Sequence, residues 1–156
     1  MKSLYFYKTD IGKVGIVENG GQITNLYFES DKIPTDLEIR ETKLLKTAGK
    51  QLLEYFSRKR KTFELPLAPA GTEFQGQVWQ ALCQIPYGET VSYKDIAKKI
   101  NNDKAARAVG MANNKNPIPI FIPCHRVIGA NGKLVGYGGG LGIKKALLEL
   151  EHGKFK

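Results

Sequence analysis

Apolar and polar positions alternate along the first third of the chain and then change period. Residues 4–7, 13–18 and 22–28 are rich in β-formers, and they are separated by Asp10-Ile11-Gly12 and by Asn19-Gly20-Gly21. This is the pattern of a β-meander, and Asn-Gly-Gly is a strong hairpin signal. From about residue 38 the period lengthens. Leu44, Leu45, Ala48, Leu52 and Phe56 recur at helical spacing, which predicts an amphipathic helix. The reading carries that helix into Arg58-Lys59-Arg60-Lys61, where positive charge suits a helix C-terminus. A short strand at 62–65 is expected next, then a linker at Pro66-Leu67-Ala68-Pro69-Ala70-Gly71.

The second half reads as helices and one hairpin. Thr72-Glu73-Phe74-Gln75 fits a capping box and opens a helix through Val78, Trp79 and Leu82. Cys83, one turn after Trp79, is expected as a small buried side chain. Ser92 caps a second short helix with Ile96, Ala97 and Ile100 on its apolar face, broken by Asn101-Asn102. Asp103 is expected to cap a third helix, from 104 to about 112. Residues 118–122 read as an extended apolar run leading to Pro123 and Cys124, and a turn is expected at Asn131-Gly132. The expected organisation is two domains, 1–70 and 71–156, in an α+β protein.

Composition narrows the classes. The chain has 156 residues, 24 Lys and Arg against 15 Asp and Glu, and a net charge of +9. Residues 71–156 carry +6 of that charge and residues 1–70 carry +3. A basic chain is drawn to phosphate backbones and to anionic surfaces alike. No apolar run approaches the roughly 20 residues of a membrane span, and the N-terminus lacks a signal-peptide pattern, so a cytoplasmic protein is expected. With two Cys and two His and no paired ligand spacing, no metal is expected. The glycines fit no nucleotide-binding loop.

Two short helices joined by a polar turn resemble a helix-turn-helix. The second is slim, with Ala105, Ala106, Ala108 and Gly110, and only Lys104, Arg107 and Asn side chains reach out from it. Such a helix suits close approach to DNA with little reading of base edges. Beyond it, Pro123-Cys124-His125-Arg126 places a thiol beside a base and a cation, the groups that favour a nucleophilic thiolate. Neighbouring side chains in extended chain point apart, so His125 reaches the sulfur only through a water or a bend.

The segment Ile122-Pro123-Cys124-His125-Arg126-Val127 resembles the active-site signature of the O6-alkylguanine-DNA alkyltransferases. Further segments resemble that family in its order: Pro86-Tyr87-Gly88-Glu89-Thr90-Val91-Ser92-Tyr93, Ala105-Ala106-Arg107-Ala108-Val109-Gly110, Asn116-Pro117-Ile118-Pro119-Ile120, Tyr137-Gly138-Gly139-Gly140-Leu141 and a terminal helix at 144–151. The resemblance implies a ribonuclease-H-like N-terminal domain, a β-meander with a helix, that supports the site. It implies a helical C-terminal domain with a winged helix-turn-helix-like unit that binds DNA and accepts the alkyl group.

It further implies Cys124 as alkyl acceptor, His125 acting through a water, and Glu151 orienting the imidazole. Arg107 is the finger inserted into the duplex. Tyr93 presses on the 3′ phosphate and donates a hydrogen bond to the purine, and Asn116 ties the helix-turn-helix to the active-site segment. Lys104, Ala105, Ala106 and Arg126 are expected at DNA. Val127 offers its carbonyl to the exocyclic amine of guanine, and Tyr137 and Gly138 wall the base pocket. The implied reaction is a single, irreversible transfer from O6-alkylguanine, less well O4-alkylthymine, after the damaged nucleotide is flipped out. No cofactor is implied, and no membrane or obligate protein partner. A monomer is expected, cooperative on DNA or not, in the cytoplasm, at the nucleoid in a prokaryote. A non-catalytic lesion binder lacks the acceptor cysteine, and a plain helix-turn-helix regulator leaves Pro-Cys-His-Arg unexplained.

Overall fold

The computed structural model describes residues 2–132, 134, 137 and 139–152. The chain divides into two compact units, Met1–Ala70 and Gly71–Lys156. The first is a four-stranded sheet carrying one helix. Strands β1 (Ser3–Thr9), β2 (Gly12–Asn19) and β3 (Gln22–Tyr27) form the antiparallel meander. Asn19 pairs with Gln22, leaving Gly20-Gly21 as a two-residue loop with φ of +61° and +85°. Both central residues are left-handed, which is the demand of a type I′ turn and the reason for two glycines.

A fourth strand, β4 (Glu38–Ile39), lies parallel to β1, giving the order β3-β2-β1-β4. The sequence pattern assigned the stretch after 38 to a helix. Instead helix α1 (Lys43–Phe56) begins at Thr42, whose side chain accepts from Leu45 N. Leu45, Ala48, Leu52, Tyr55 and Phe56 form its buried face, as the period demands.

Helix α1 stops before the basic run. Arg58 adopts φ +63°, Lys59 N–H donates to Glu54 O, and Arg58 N–H donates to Tyr55 O, the two bonds of a Schellman cap. The four cations therefore follow the helix end, and Arg60 pairs with Glu54 at 2.9 Å. The strand expected at 62–65 is absent because its backbone is satisfied by a side chain. Gln51 accepts from Glu64 N and donates to Glu64 O. The expected linker instead extends the sheet edge: Ile23 N–H donates to Pro66 O, and Ala68 N–H to Ile23 O, around a parallel bridge at Leu67.

The second unit is built from α2 (Glu73–Leu82), α3 (Tyr93–Lys99), α4 (Ala106–Asn114) and α5 (Leu141–His152). A one-turn 3-10 helix spans Cys124–Arg126, and β5 (Val91–Ser92) pairs in parallel with β6 (Val127–Ile128). Reciprocal capping boxes start α2 (Thr72 with Gln75) and α3 (Ser92 with Asp95). Helix α3 ends in a Schellman cap at Asn101, φ +59°, with Asn102 N–H donating to Ala97 O. Helix α4 starts two residues later than expected, at Ala106. Asp103 does not cap it, because a tight turn from Asn102 O to Ala105 N precedes it and its N-cap, Ala105, has no side chain to offer. Cys83 is exposed at the α2 C-cap rather than buried. Trp79 Nε1 donates to Ala112 O at 2.9 Å, fixing α4 on α2.

Candidate active site

Residues 118–122 form a compact turn rather than an extended run. Ile122 N–H donates to Ile118 O, and Ile120 takes φ +75°. A β-branched residue in that region is strained, and burial on every side holds it there. Asn116 staples the turn: its Nδ2 donates to Ile122 O at 2.8 Å and its Oδ1 accepts from Ile118 N at 2.9 Å. The chain then passes Pro123 into the 3-10 turn that presents Cys124, His125 and Arg126, all inside the protein. This turn supplies the bend that extended geometry denied to the Cys-His pair.

Glu151, on α5, anchors the site. Its carboxylate accepts from His125 Nε2 at 2.7 Å, from Arg126 Nε and Nη2 at 2.9 and 3.0 Å, and from Gly88 N at 3.3 Å. Burial alone would raise its pKa, but the hydrogen bonds and charges of His125 and Arg126 outweigh that and hold Glu151 ionised, well below the usual carboxylate range. Burial pushes His125 down, against the pull of Glu151. A neutral imidazole donating from Nε2 to a carboxylate carries its lone pair on Nδ1. That Nδ1 is buried and, among the described residues, has no hydrogen-bond partner.

Arg126 has no part of its guanidinium left for DNA, contrary to expectation. It is 6% exposed, forks onto Glu151, donates Nη1 to Ile85 O at 2.7 Å and lies over the Tyr87 ring. Its role is to hold the Glu151 charge indoors.

Burial pushes the Cys124 thiol up to about 11, opposed chiefly by the Asn116 amide and the charge of Lys144. The resting group is therefore a thiol, and the neighbouring charge of Lys144 favours its ionised form. Tyr93, the first residue of α3, is raised by burial and then by the Cys124 charge. Lys144 is fully buried, and its Nζ donates to Val127 O at 2.5 Å. Burial brings it down to about 8, while Cys124 pulls the other way.

Cys124, His125, Glu151, Asn116, Tyr93, Val127 and Tyr137 are thus gathered at one place, whereas Gly138 lies outside the described residues. Lys104 and Arg107 stand exposed beside the half-buried Ala105 and Ala106 at the start of α4. Lys144 was not anticipated, although a signal existed. Lys144, Leu147, Leu148 and Glu151 are spaced i, i+3, i+4, i+7, so the apolar stripe of α5 carries a charge at each end. Among the described residues no cluster of His, Cys, Asp and Glu could hold a metal ion, and no helix is long and apolar enough to cross a membrane.

Comparison with known proteins places the chain among one group of relatives. Residues 73–153 match the DNA binding domain of 6-O-methylguanine DNA methyltransferase, and residues 4–69 match its ribonuclease-like domain. The methylated-DNA–protein-cysteine methyltransferase of Methanosarcina barkeri is 50% identical over 153 residues, 96% of each chain. The constitutive one of Bacillus subtilis is 47% identical, covering 96% of this chain and 94% of that one. The crystal structure of Mycobacterium tuberculosis OGT in complex with DNA superposes with a TM-score of 0.91 at 45% identity, covering 97% of this chain and 93% of that one.

Proposed function

The chain belongs to the 6-O-methylguanine DNA methyltransferase family, and from that premise we propose that it repairs DNA by transferring the alkyl group of O6-alkylguanine to its own Cys124. The observation that carries this reading is the buried His125–Glu151 pair at 2.7 Å on the turn that presents Cys124. It fixes a neutral imidazole whose Nδ1 is unspent, on the residue that follows the thiol in the same turn.

In the proposed reaction the Cys124 proton passes to His125 Nδ1 through a bridging water, and Glu151 stabilises the imidazolium. The thiolate attacks the alkyl carbon, an S–C bond forms and the C–O6 bond breaks. The electron pair leaves with the purine, which Tyr93 relieves by donating its hydroxyl proton in a hydrogen bond. The product is a thioether, and no neighbouring group can reverse it, so each molecule acts once.

The slim start of α4 supports entry into a groove. Arg107 fills the gap in the stack while the damaged nucleotide turns out, and Lys104 and the uncapped first turn of the helix meet phosphates. The partner is duplex DNA carrying the lesion, with O4-alkylthymine a poorer substrate. The protein works as a monomer in the compartment that holds the DNA, and its N-terminal unit supports the site.

Intact-protein mass spectrometry after mixing with a duplex containing one O6-methylguanine tests the reading. One added methyl group per protein, absent in Cys124→Ser, is expected. Lesion-selective binding with no mass change would identify a non-catalytic binder instead, and no lesion preference would defeat both.

A further inference from the structure

Helix α1 turns a face of one sign to solvent. Its exposed positions are Lys43, Lys46, Thr47, Lys50 and Leu53, and none of these is acidic. The spacing i, i+3, i+7 sets the three lysines in one row along the helix. The nearby carboxylates are engaged elsewhere. Glu54, the one acidic residue of the helix, is half-buried and paired with Arg60 at 2.9 Å. Glu41, just before the helix, accepts from the Tyr7 hydroxyl at 2.7 Å.

Folding does not account for the row. Like charges three and four positions apart weaken a helix, and a cation in the first turn opposes the macrodipole. Lys43 and Lys46 stand among the first four residues of α1, where no acidic residue offsets them. Arg58 and Lys59 differ, because cations just past a helix C-terminus are favoured by the dipole. A merely solvated surface mixes both signs. A one-signed face that its own helix disfavours leaves its charge for a polyanion outside the chain.

We propose that Lys43, Lys46 and Lys50 hold the phosphate backbone of duplex DNA, so that the N-terminal unit adds a sequence-independent grip on undamaged DNA to that of α4. The composition of the face selects this partner. It offers no aromatic ring on which an unpaired base could stack. The apolar side of α1 is buried, with Leu53 the exposed exception, so the helix has no apolar face to lay into a lipid surface. Lysines act on phosphates as point charges and read no sequence. The inference goes beyond the alkyl-acceptor reading and rests on it only for the choice of DNA as the polyanion.

The test is the affinity of the full chain for undamaged duplex as salt is varied. The triple variant Lys43→Gln, Lys46→Gln, Lys50→Gln should shallow the slope of log affinity against log salt by about three. The matching triple change to Arg should keep the slope. A control triple, Lys2→Gln, Lys13→Gln, Lys32→Gln, removes the same charge from exposed positions of the same unit off the helix, and its slope should stay within about one of the wild type. Where the first variant fails a circular dichroism melt, Lys46→Gln with Lys50→Gln serves instead, with an expected change of about two. An unmoved slope in the first variant or an equal change in the control would overturn the inference. So would a row that binds vesicles of phosphatidylserine and phosphatidylcholine while the duplex slope holds. A wild type that binds undamaged duplex but takes no methyl group from a lesion would instead remove the alkyl-acceptor reading, and the salt slopes would still decide this one.

Discussion

Four hydrogen bonds converge on the Glu151 carboxylate, and they make it both a structural and a chemical residue. In Glu151→Gln the buried Arg126 loses its counter-charge and His125 loses the group that fixes its tautomer. Breaking a buried ion pair by removing one partner costs about 3–5 kcal/mol, so the denaturant midpoint should drop markedly. Methyl transfer should slow by about 100-fold or more, the scale of a lost general base. Lys144 makes a separable prediction. Its charge is among the groups that ease Cys124 down from the value burial imposes. Removing it in Lys144→Met pushes the thiol higher still, so the rate-against-pH curve should move to higher pH and the rate at pH 7 should fall. Lys144→Arg, which keeps the charge, should move the curve less. A curve unmoved in Lys144→Met would mean that the ammonium only anchors Val127 O.

Elements whose signals are local were legible in the sequence. The capping boxes of α2 and α3, the Gly20-Gly21 turn and the αL cap at Asn101 each depend on residues within a few positions. Elements that depend on distant partners were not. Strand β4 exists because β1, over 30 residues earlier, offers an edge. The segment at 62–65 lies flat because Gln51 spends both ends of its amide on Glu64. The turn at 118–122 needs a left-handed Ile120, which no propensity suggests. The site followed the same division. Cys124, His125, Glu151 and Asn116 were named from motif resemblance, while Arg126 was misplaced because its partners, Ile85 and Glu151, lie far along the chain. One packing contact at this scale is sharp enough to test. A Cβ on Gly49 of α1 would overlap the Tyr7 ring, which cannot retreat freely because its hydroxyl donates toward both Glu41 and Leu45 O. Helix propensity alone favours Gly49→Ala by about 1 kcal/mol. Overpacking, at about 1–3 kcal/mol, should win, and a denaturation curve showing net stabilisation would mean that the sheet and α1 are less tightly packed.

For the molecule as a whole, the net charge of +9 makes DNA affinity depend on salt. Arg107→Ala should shallow the slope of log affinity against log salt by about one if the side chain meets a phosphate, and by less if it fills the stack. The transfer rate at saturating DNA should fall in the second case and hold in the first. The state after reaction is the more telling test, because the acceptor is not a surface group. Cys124 is 3% exposed within close-packed surroundings, and its sulfur is supported by Asn116 and the charge of Lys144. Methylation removes the S–H and the possibility of a thiolate, so both supports lose their purpose together. It also adds a carbon at a buried, close-packed position. Overpacking and a forfeited polar partner each cost about 1–3 kcal/mol, and for a chain of this length each kcal/mol lowers Tm by about 2–4 °C. The S-methylated protein should therefore melt several degrees below the unreacted one, and Cys124→Ser, which keeps a donor and adds no volume, should melt much closer to it. Scanning calorimetry on protein alkylated to completion decides the matter. Equal melting temperatures would mean that the pocket holds space for the transferred group in advance, with the acceptor loop unstrained by the product it keeps.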